Sequence, residues 1–193
     1  MPIPALDDVD YVAAMALDPP VIVYADEACM VATWRSMVFP VMGYRTSTAV
    51  AATTQARAIE THGRSVGRGK LLEVSIVDAQ TGIPDSEVRA AMDAMVPVVA
   101  PYYAAVGAIF EGDGFRSAMI RGVIASFQLL SRSKYPQRVF SNVADCGNWI
   151  APYASDVGMR LRDANEMIDA ISAVRAEAEA RGILSTTRQA VAV

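Results

Sequence analysis

The sequence predicts an α/β fold: a mixed sheet of about four to five strands, helices packed on it, and an extra helix at the C-terminal end. Three observations carry this. Short β-branched or apolar runs recur at 21–24, 29–34, 71–77, 104–110 and 138–140. Helix start signals stand between them, at Thr46-Ser47-Thr48 and Pro84-Asp85-Ser86-Glu87. One stripe, formed by Phe115, Met119, Ile120, Val123, Ile124, Phe127 and Leu130, repeats at helical spacing.

Taken in order, residues 1–19 read as an acidic leader carrying Asp7, Asp8, Asp10 and Asp18, with one short helix at 8–17. Val21-Ile22-Val23-Tyr24 and 29–34 are close enough to pair as a hairpin across Asp26-Glu27. A helix then runs from Thr46–Thr48 to about His62, turning Ala49, Ala52, Thr53, Ala56 and Ile59 inward and ending at Gly63. The run 71–77 is nearly continuous in apolar residues, as a central strand should be. After Asp78–Gly82, a helix opens at Pro84–Glu87 with acidic residues at the positive end of its dipole, and Pro97 and Pro101 close it. A fourth strand, the periodic helix and a fifth strand follow. Ser141 or Asn142 caps a helix carrying Trp149 and Ile150, which Pro152 ends. Leu161, Ala164, Met167, Ile168, Ile171 and Val174 then form the stripe of a C-terminal helix ended by Gly182. The expected organisation is a leader at 1–19, the α/β domain at 20–152, a helical extension at 153–184 and a loose tail at 185–193.

Composition narrows function. Of 193 residues, 53% are hydrophobic and 20% charged, which describes a chain able to bury a core and not a disordered one. A net charge of -4 argues against nucleic acid, which needs a Lys/Arg-rich face to displace counterions. The basic strip Arg57, Arg64, Arg68 and Lys70 reads as a solvated helix end and loop. The acidic start is the reverse of a signal peptide. The longest apolar stretch, 94–110, is broken by Pro97, Pro101 and Gly107, so no membrane span is expected. The cytoplasm is the expected compartment.

Three stretches together resemble the divergent, SpoIIAA-like bacterial branch of the STAS (sulfate transporter and anti-sigma-factor antagonist) group. They are 72–86; Ala108-Ile109-Phe110-Glu111-Gly112-Asp113-Gly114-Phe115-Arg116 with its long helix; and Arg138-Val139-Phe140-Ser141-Asn142 leading to Cys146-Gly147-Asn148-Trp149-Ile150. The resemblance covers about 20–151. It implies a scaffold for protein contacts and sets Asp85-Ser86 where anti-sigma-factor antagonists carry their phosphoacceptor. Here Glu87-Val88 follows instead of a small residue and Gly. A phosphate on Ser86 would gain from the helix N-terminus but face Asp85 and Glu87, so a plain helix cap is the favoured role.

No catalytic set emerges. The single histidine, His62, stands beside Gly63, and no serine lies in a GxSxG elbow. The paired carboxylates Asp26/Glu27, Asp85/Glu87 and Glu111/Asp113 fall at turns or helix starts, where acidic residues are ordinary. Gly112-x-Gly114 lacks the third glycine of a dinucleotide loop, with Ser117 in its place, so no cofactor is expected. Cys29 and Cys146, without a CxxC pair and with one histidine, do not make a metal site and read as buried thiols.

What remains is binding. The loop residues Asp78, Thr81, Asp85 and Ser86 are the candidate contact or phosphoacceptor site. The segment 34–44 is apolar where a loop should be polar, so it continues a strand, packs under another element or supplies a subunit contact. Trp34, Met37, Phe39 and Tyr44, with Met167 and Ile171 of the C-terminal stripe, are the candidate interaction surface, most economically of a homodimer. Met30, Met37, Met42, Met92, Met95 and Met119 lie among the aromatics Trp34, Phe39, Tyr44, Tyr102, Tyr103 and Phe127 and are expected mostly in the core. The expectation is a non-enzymatic regulatory or scaffolding module acting through protein contacts, the alternative being a carrier or sensor of a small apolar, lipid-like ligand.

Overall fold

The computed structural model describes residues 18–82, 84–110 and 135–185. Six strands form one mixed sheet in sequence order: β1 (Val21–Ala25), β2 (Cys29–Trp34), β3 (Met37–Met42), β4 (Leu71–Val77), β5 (Tyr103–Phe110) and β6 (Gln137–Phe140). The first two junctions are antiparallel and the next three parallel. The helices are α1 (Ala49–Val66), α2 (Ser86–Val99), α3 (Val143–Asp156) and α4 (Ala164–Ala180), with a 3-10 turn at Ala100–Tyr102. The periodic helix expected from Phe115 to Leu130, the leader's helix at 8–17, Glu111/Asp113 and the Gly112-x-Gly114 loop lie outside the described residues, as does most of the expected tail. No helix among the described residues is long and apolar enough to cross a membrane.

The α/β class and the opening hairpin match the expectation. Asp26 makes the first turn, its Oδ1 accepting the N–H groups of Ala28 and Cys29 at 2.8 and 2.7 Å. One strand more than expected is present, because the apolar segment after Trp34 is β3, inserted between β2 and β4. Proline cannot donate to a ladder. The pairing of β3 with β4 accordingly runs through Met37, Val38, Val41 and Met42 and lapses at Phe39 and Pro40. Arg35 turns the β2–β3 hairpin in the left-handed region, at φ 52°.

Three helix ends differ from expectation. Thr48 caps α1, accepting the Ala51 N–H at 3.1 Å, but the helix continues through Gly63 to Val66. Gly63 serves packing there: a Cβ would sit 2.7 Å from Cγ of Tyr102, so the glycine lets that ring lie against the helix. Pro97 and Pro152 both stand inside helices, α2 reaching Val99 and α3 reaching Asp156. Pro97 lies in the last turn of α2 and Pro152 four residues before the end of α3.

Two apolar layers sandwich the sheet. Alternation along β2 sends Val31 to one face, where it joins Val38, Leu71, Ile59 of α1 and Val99 of α2. Met30, Ala32 and Trp34 face the other way, into a larger core with Phe39, Ile109, Phe140, Ile150, Met167 and Ile171. Helices α3 and α4 cover that second face and pack on each other. The expected boundary at 152 therefore falls within α3, and the C-terminal helix is part of the main core, with Met167, Ala170, Ile171, Val174 and Ala178 all buried.

A charged tether holds α4 there. Arg35 donates from Nε to Asp18 at 2.6 Å, from Nη1 to the Arg160 carbonyl at 3.0 Å and from Nη2 to Glu166 Oε1 at 2.8 Å. Burial would raise the Glu166 pKa, but the Arg162 N–H and the Arg35 guanidinium outweigh it and hold the carboxyl below its ordinary range. A depressed carboxylate stabilises the fold above its unfolded pKa, and this contribution is lost as pH falls through the folded value.

Candidate functional site: the end of β4 and the outer face of α2

The loop residues singled out by sequence occupy one end of the parallel strands but divide into two roles. Asp78 is buried, its Oδ1 accepting the Gln80 N–H at 2.7 Å. Its Oδ2 accepts from the N–H and Oγ of Ser185, at 2.6 and 2.7 Å. Thr81 donates from Oγ1 to the Gly43 carbonyl at 2.7 Å. These bonds tie β3, β4 and the C-terminal segment into one knot. It closes only because position 43 lacks a side chain: a Cβ there would stand 2.3 Å from the Ile183 carbonyl oxygen and 2.8 Å from that of Ala28. Asp78 and Thr81 are thus engaged in holding the fold.

Asp85 caps α2 as the favoured reading had it, its Oδ1 accepting the N–H groups of Glu87 and Val88 at 2.9 Å each. Ser86 is the first helical residue and is exposed, as are Asp85 and Glu87. A phosphate there would meet both carboxylates, with the cap already using the N–H groups that could receive it.

The six residues expected on an interaction surface are placed differently. Trp34, Met37, Phe39, Met167 and Ile171 are buried in the chain's own core, and Tyr44 alone is exposed, with the Arg45 guanidinium over its ring. The physical reason is the additional central strand: β3 and α4 bury their apolar stripes against each other's side of one sheet, which leaves no need for a second subunit at either place. Met30 and Met37 are likewise fully buried.

Apolar side chains face solvent at Val21 and Val23 of β1, at Val50 of α1 and, as a pair one turn apart, on α2. Of its 14 residues only Val88 and Val99 are buried; it packs mainly on α1 and the following turn, with Val99 reaching the sheet layer of Val31, Val38 and Leu71. Met92 and Val96 are 41% and 43% exposed, one helical turn apart, and Ala90, Ala94 and Pro97 are exposed beside them. Arg89 and Asp93 flank this ridge, both exposed. The signal was present in the sequence: residues 88–99 are apolar nearly all round, more than one buried stripe requires.

A second feature that the sequence reading passed over is a polar cluster inside the sheet. Glu73, the lone charge of the apolar β4 run, is buried. Its carboxylate accepts from Ser75 Oγ at 2.7 Å and from the Tyr103 hydroxyl, and the Tyr103 and Tyr135 rings meet edge-on at 5.2 Å. Burial pushes the Glu73 carboxyl up, outweighing the two hydrogen bonds it accepts. Burial and the Glu73 charge push the Tyr135 hydroxyl up to about 12. A raised carboxyl binds its proton more readily folded than unfolded, so wild-type stability falls as pH rises from the ordinary carboxylate range through the folded value. Glu73→Gln keeps the shape without the charge. Its thermal midpoint should equal wild type near pH 4 and exceed it increasingly toward pH 8. A gap independent of pH in a melting series would show that Glu73 ionises as freely folded as unfolded.

Cys29 and Cys146 are free and buried, and burial pushes both thiols up to about 12, the Asp26 carboxylate adding to the effect at Cys29. Inert thiols fit this setting. His62 lies on α1 beside the backbone of Arg35 and Met37, and burial lowers its pKa. Among the described residues no group of three or more His, Cys, Asp or Glu side chains is arranged to hold a metal ion. No protein family, curated protein or solved structure matches this chain.

Proposed function

We propose that this chain is a non-enzymatic regulatory or scaffolding module of STAS-like type that works through protein–protein contact, first of all with a second copy of itself through the outer face of α2. One observation carries the reading: a capped, 14-residue helix beside the 78–86 loop buries only two of its residues and turns an apolar ridge to water. Exposed apolar ridges of this kind mark interaction surfaces. The ridge suits a two-fold pairing. Met92 and Val96 of one copy can pack against the same residues of another, and Arg89 and Asp93 supply one charge of each sign at the rim. The STAS-like assignment is supported by an antiparallel hairpin leading into parallel βαβ units, with the Asp85-Ser86 helix start following the central strand. The cytoplasm is the compartment this reading proposes, in keeping with two unpaired buried thiols.

Sedimentation velocity of the whole chain tests it. The wild type should show a mass rising above one chain with concentration in the micromolar range. Met92→Glu with Val96→Glu should weaken that association by at least about 100-fold, because two carboxylates would have to be desolvated at the contact. Both positions are exposed, so the circular dichroism spectrum and melting temperature should be unchanged. A wild type that stays a single chain throughout, or a double variant that associates equally well, would overturn the proposal.

A further inference from the structure

We propose that the cleft between β6 and the first turns of α3 binds a small aromatic hydroxycarboxylate, with Arg138 taking the carboxylate and Asp145 the hydroxyl. The cleft has a volume of about 490 Å³ and is lined by Arg138, Phe140, Ser141, Asp145, Asn148 and Trp149, among others. That volume lies in the range of small-molecule sites. It stands at the carboxyl end of the edge strand: Phe140 closes β6, and Asn142 caps α3 immediately afterwards.

The donor set points to an anion. Arg138 is exposed, its guanidinium 5.3 Å from the Phe140 ring centre, and it has no carboxylate partner among the described residues. The Ser141 hydroxyl and the Asn148 amide line the same cleft and add donors.

Charge sets the valence. Asp145 also lines the cleft, with Oδ2 accepting from Asn142 Nδ2 at 2.8 Å. One guanidinium opposed by one carboxylate suits a monoanion carrying its own donor and disfavours a phosphate dianion, which would face Asp145. The aromatic preference comes from the wall: the Trp149 ring lies 5.4 Å from that of Phe140 and 5.2 Å from that of Tyr153, and Trp149 is half-buried with part of its surface free.

The test is a titration of the full chain with 4-hydroxybenzoate, followed by Trp149 fluorescence and by calorimetry. Trp34 is only 4% exposed, so a change in emission on binding here reports Trp149, and Trp149→Phe should abolish it. Saturable binding at or below about 1 mM is expected, weakened at least about tenfold in Arg138→Gln and to a similar degree for 4-hydroxybenzamide, which lacks the charge. Benzoate, lacking the hydroxyl, should bind more weakly than 4-hydroxybenzoate. Arg138→Gln should melt with wild type. No saturable binding, binding unaffected by Arg138→Gln, or an amide that binds as well as the acid would overturn the proposal. Benzoate binding as tightly as 4-hydroxybenzoate would overturn the role given to Asp145.

Discussion

Phe39→Ala should lower the stability of the chain by about 3–5 kcal/mol, seen in urea titration as a fall in midpoint with little change in slope. Phe39 sits in β3, in the middle of the sheet, and is fully buried in the core shared with α3 and α4. Its neighbours there include Met37, Val41, Met167 and Ile171, on elements fixed by strand pairing and by the Arg35 tether. They cannot collapse into the vacated volume, so the lost transfer free energy is joined by the cost of a cavity. A domain this size has a net stability of about 5–15 kcal/mol, and the variant would lose a large part of it. The result also separates two roles for the apolar segment after Trp34. A subunit contact would shift the oligomer equilibrium and leave the stability of the single chain alone, whereas a core position does the reverse.

Ile171→Ala should cost about 2–5 kcal/mol and, more tellingly, should shift a single cooperative transition. Ile171 is fully buried on the inner stripe of α4 with Met167, Val174 and Ala178. If α4 were an appendage, its loss would appear as a separate low-stability transition while the sheet unfolded at its usual midpoint. Since α4 covers the sheet together with α3, far-ultraviolet circular dichroism and Trp34 fluorescence should report the same lowered midpoint. Non-coincident midpoints, or an unchanged Trp34 transition, would contradict the packing.

Much of the architecture was legible because it depends on short-range physics. Thr48, Asp85 and Asn142 each accept a backbone N–H two or three residues ahead, and the residues needed are all in one short segment. The seven-residue apolar run of β4 implied a strand covered on both faces, and every residue in it is buried. The helix ends were less legible. Pro97, Pro152 and Gly63 are breakers by local rule, yet all three stand inside helices, Gly63 against the Tyr102 ring. The interaction surface was the least legible part. Sequence shows that Phe39 and Met167 are apolar, but not that β3 and α4 satisfy each other, whereas the helix after Asp85 leaves Met92 and Val96 exposed.

The sequence by itself determined the α/β class, the β1–β2 hairpin and the starts of the helices after Thr48, Asp85 and Asn142, since all of these follow from residues adjacent in the chain. Only the tertiary structure decided that β3 is a central strand and that the C-terminal helix belongs to the main core. It alone placed Glu73 against Tyr103 and brought Arg138 and Asp145 to one cleft. The strand, helix and Glu73 outcomes depend on contacts between residues tens of positions apart, and the energy of burial is assigned by which surfaces meet in space.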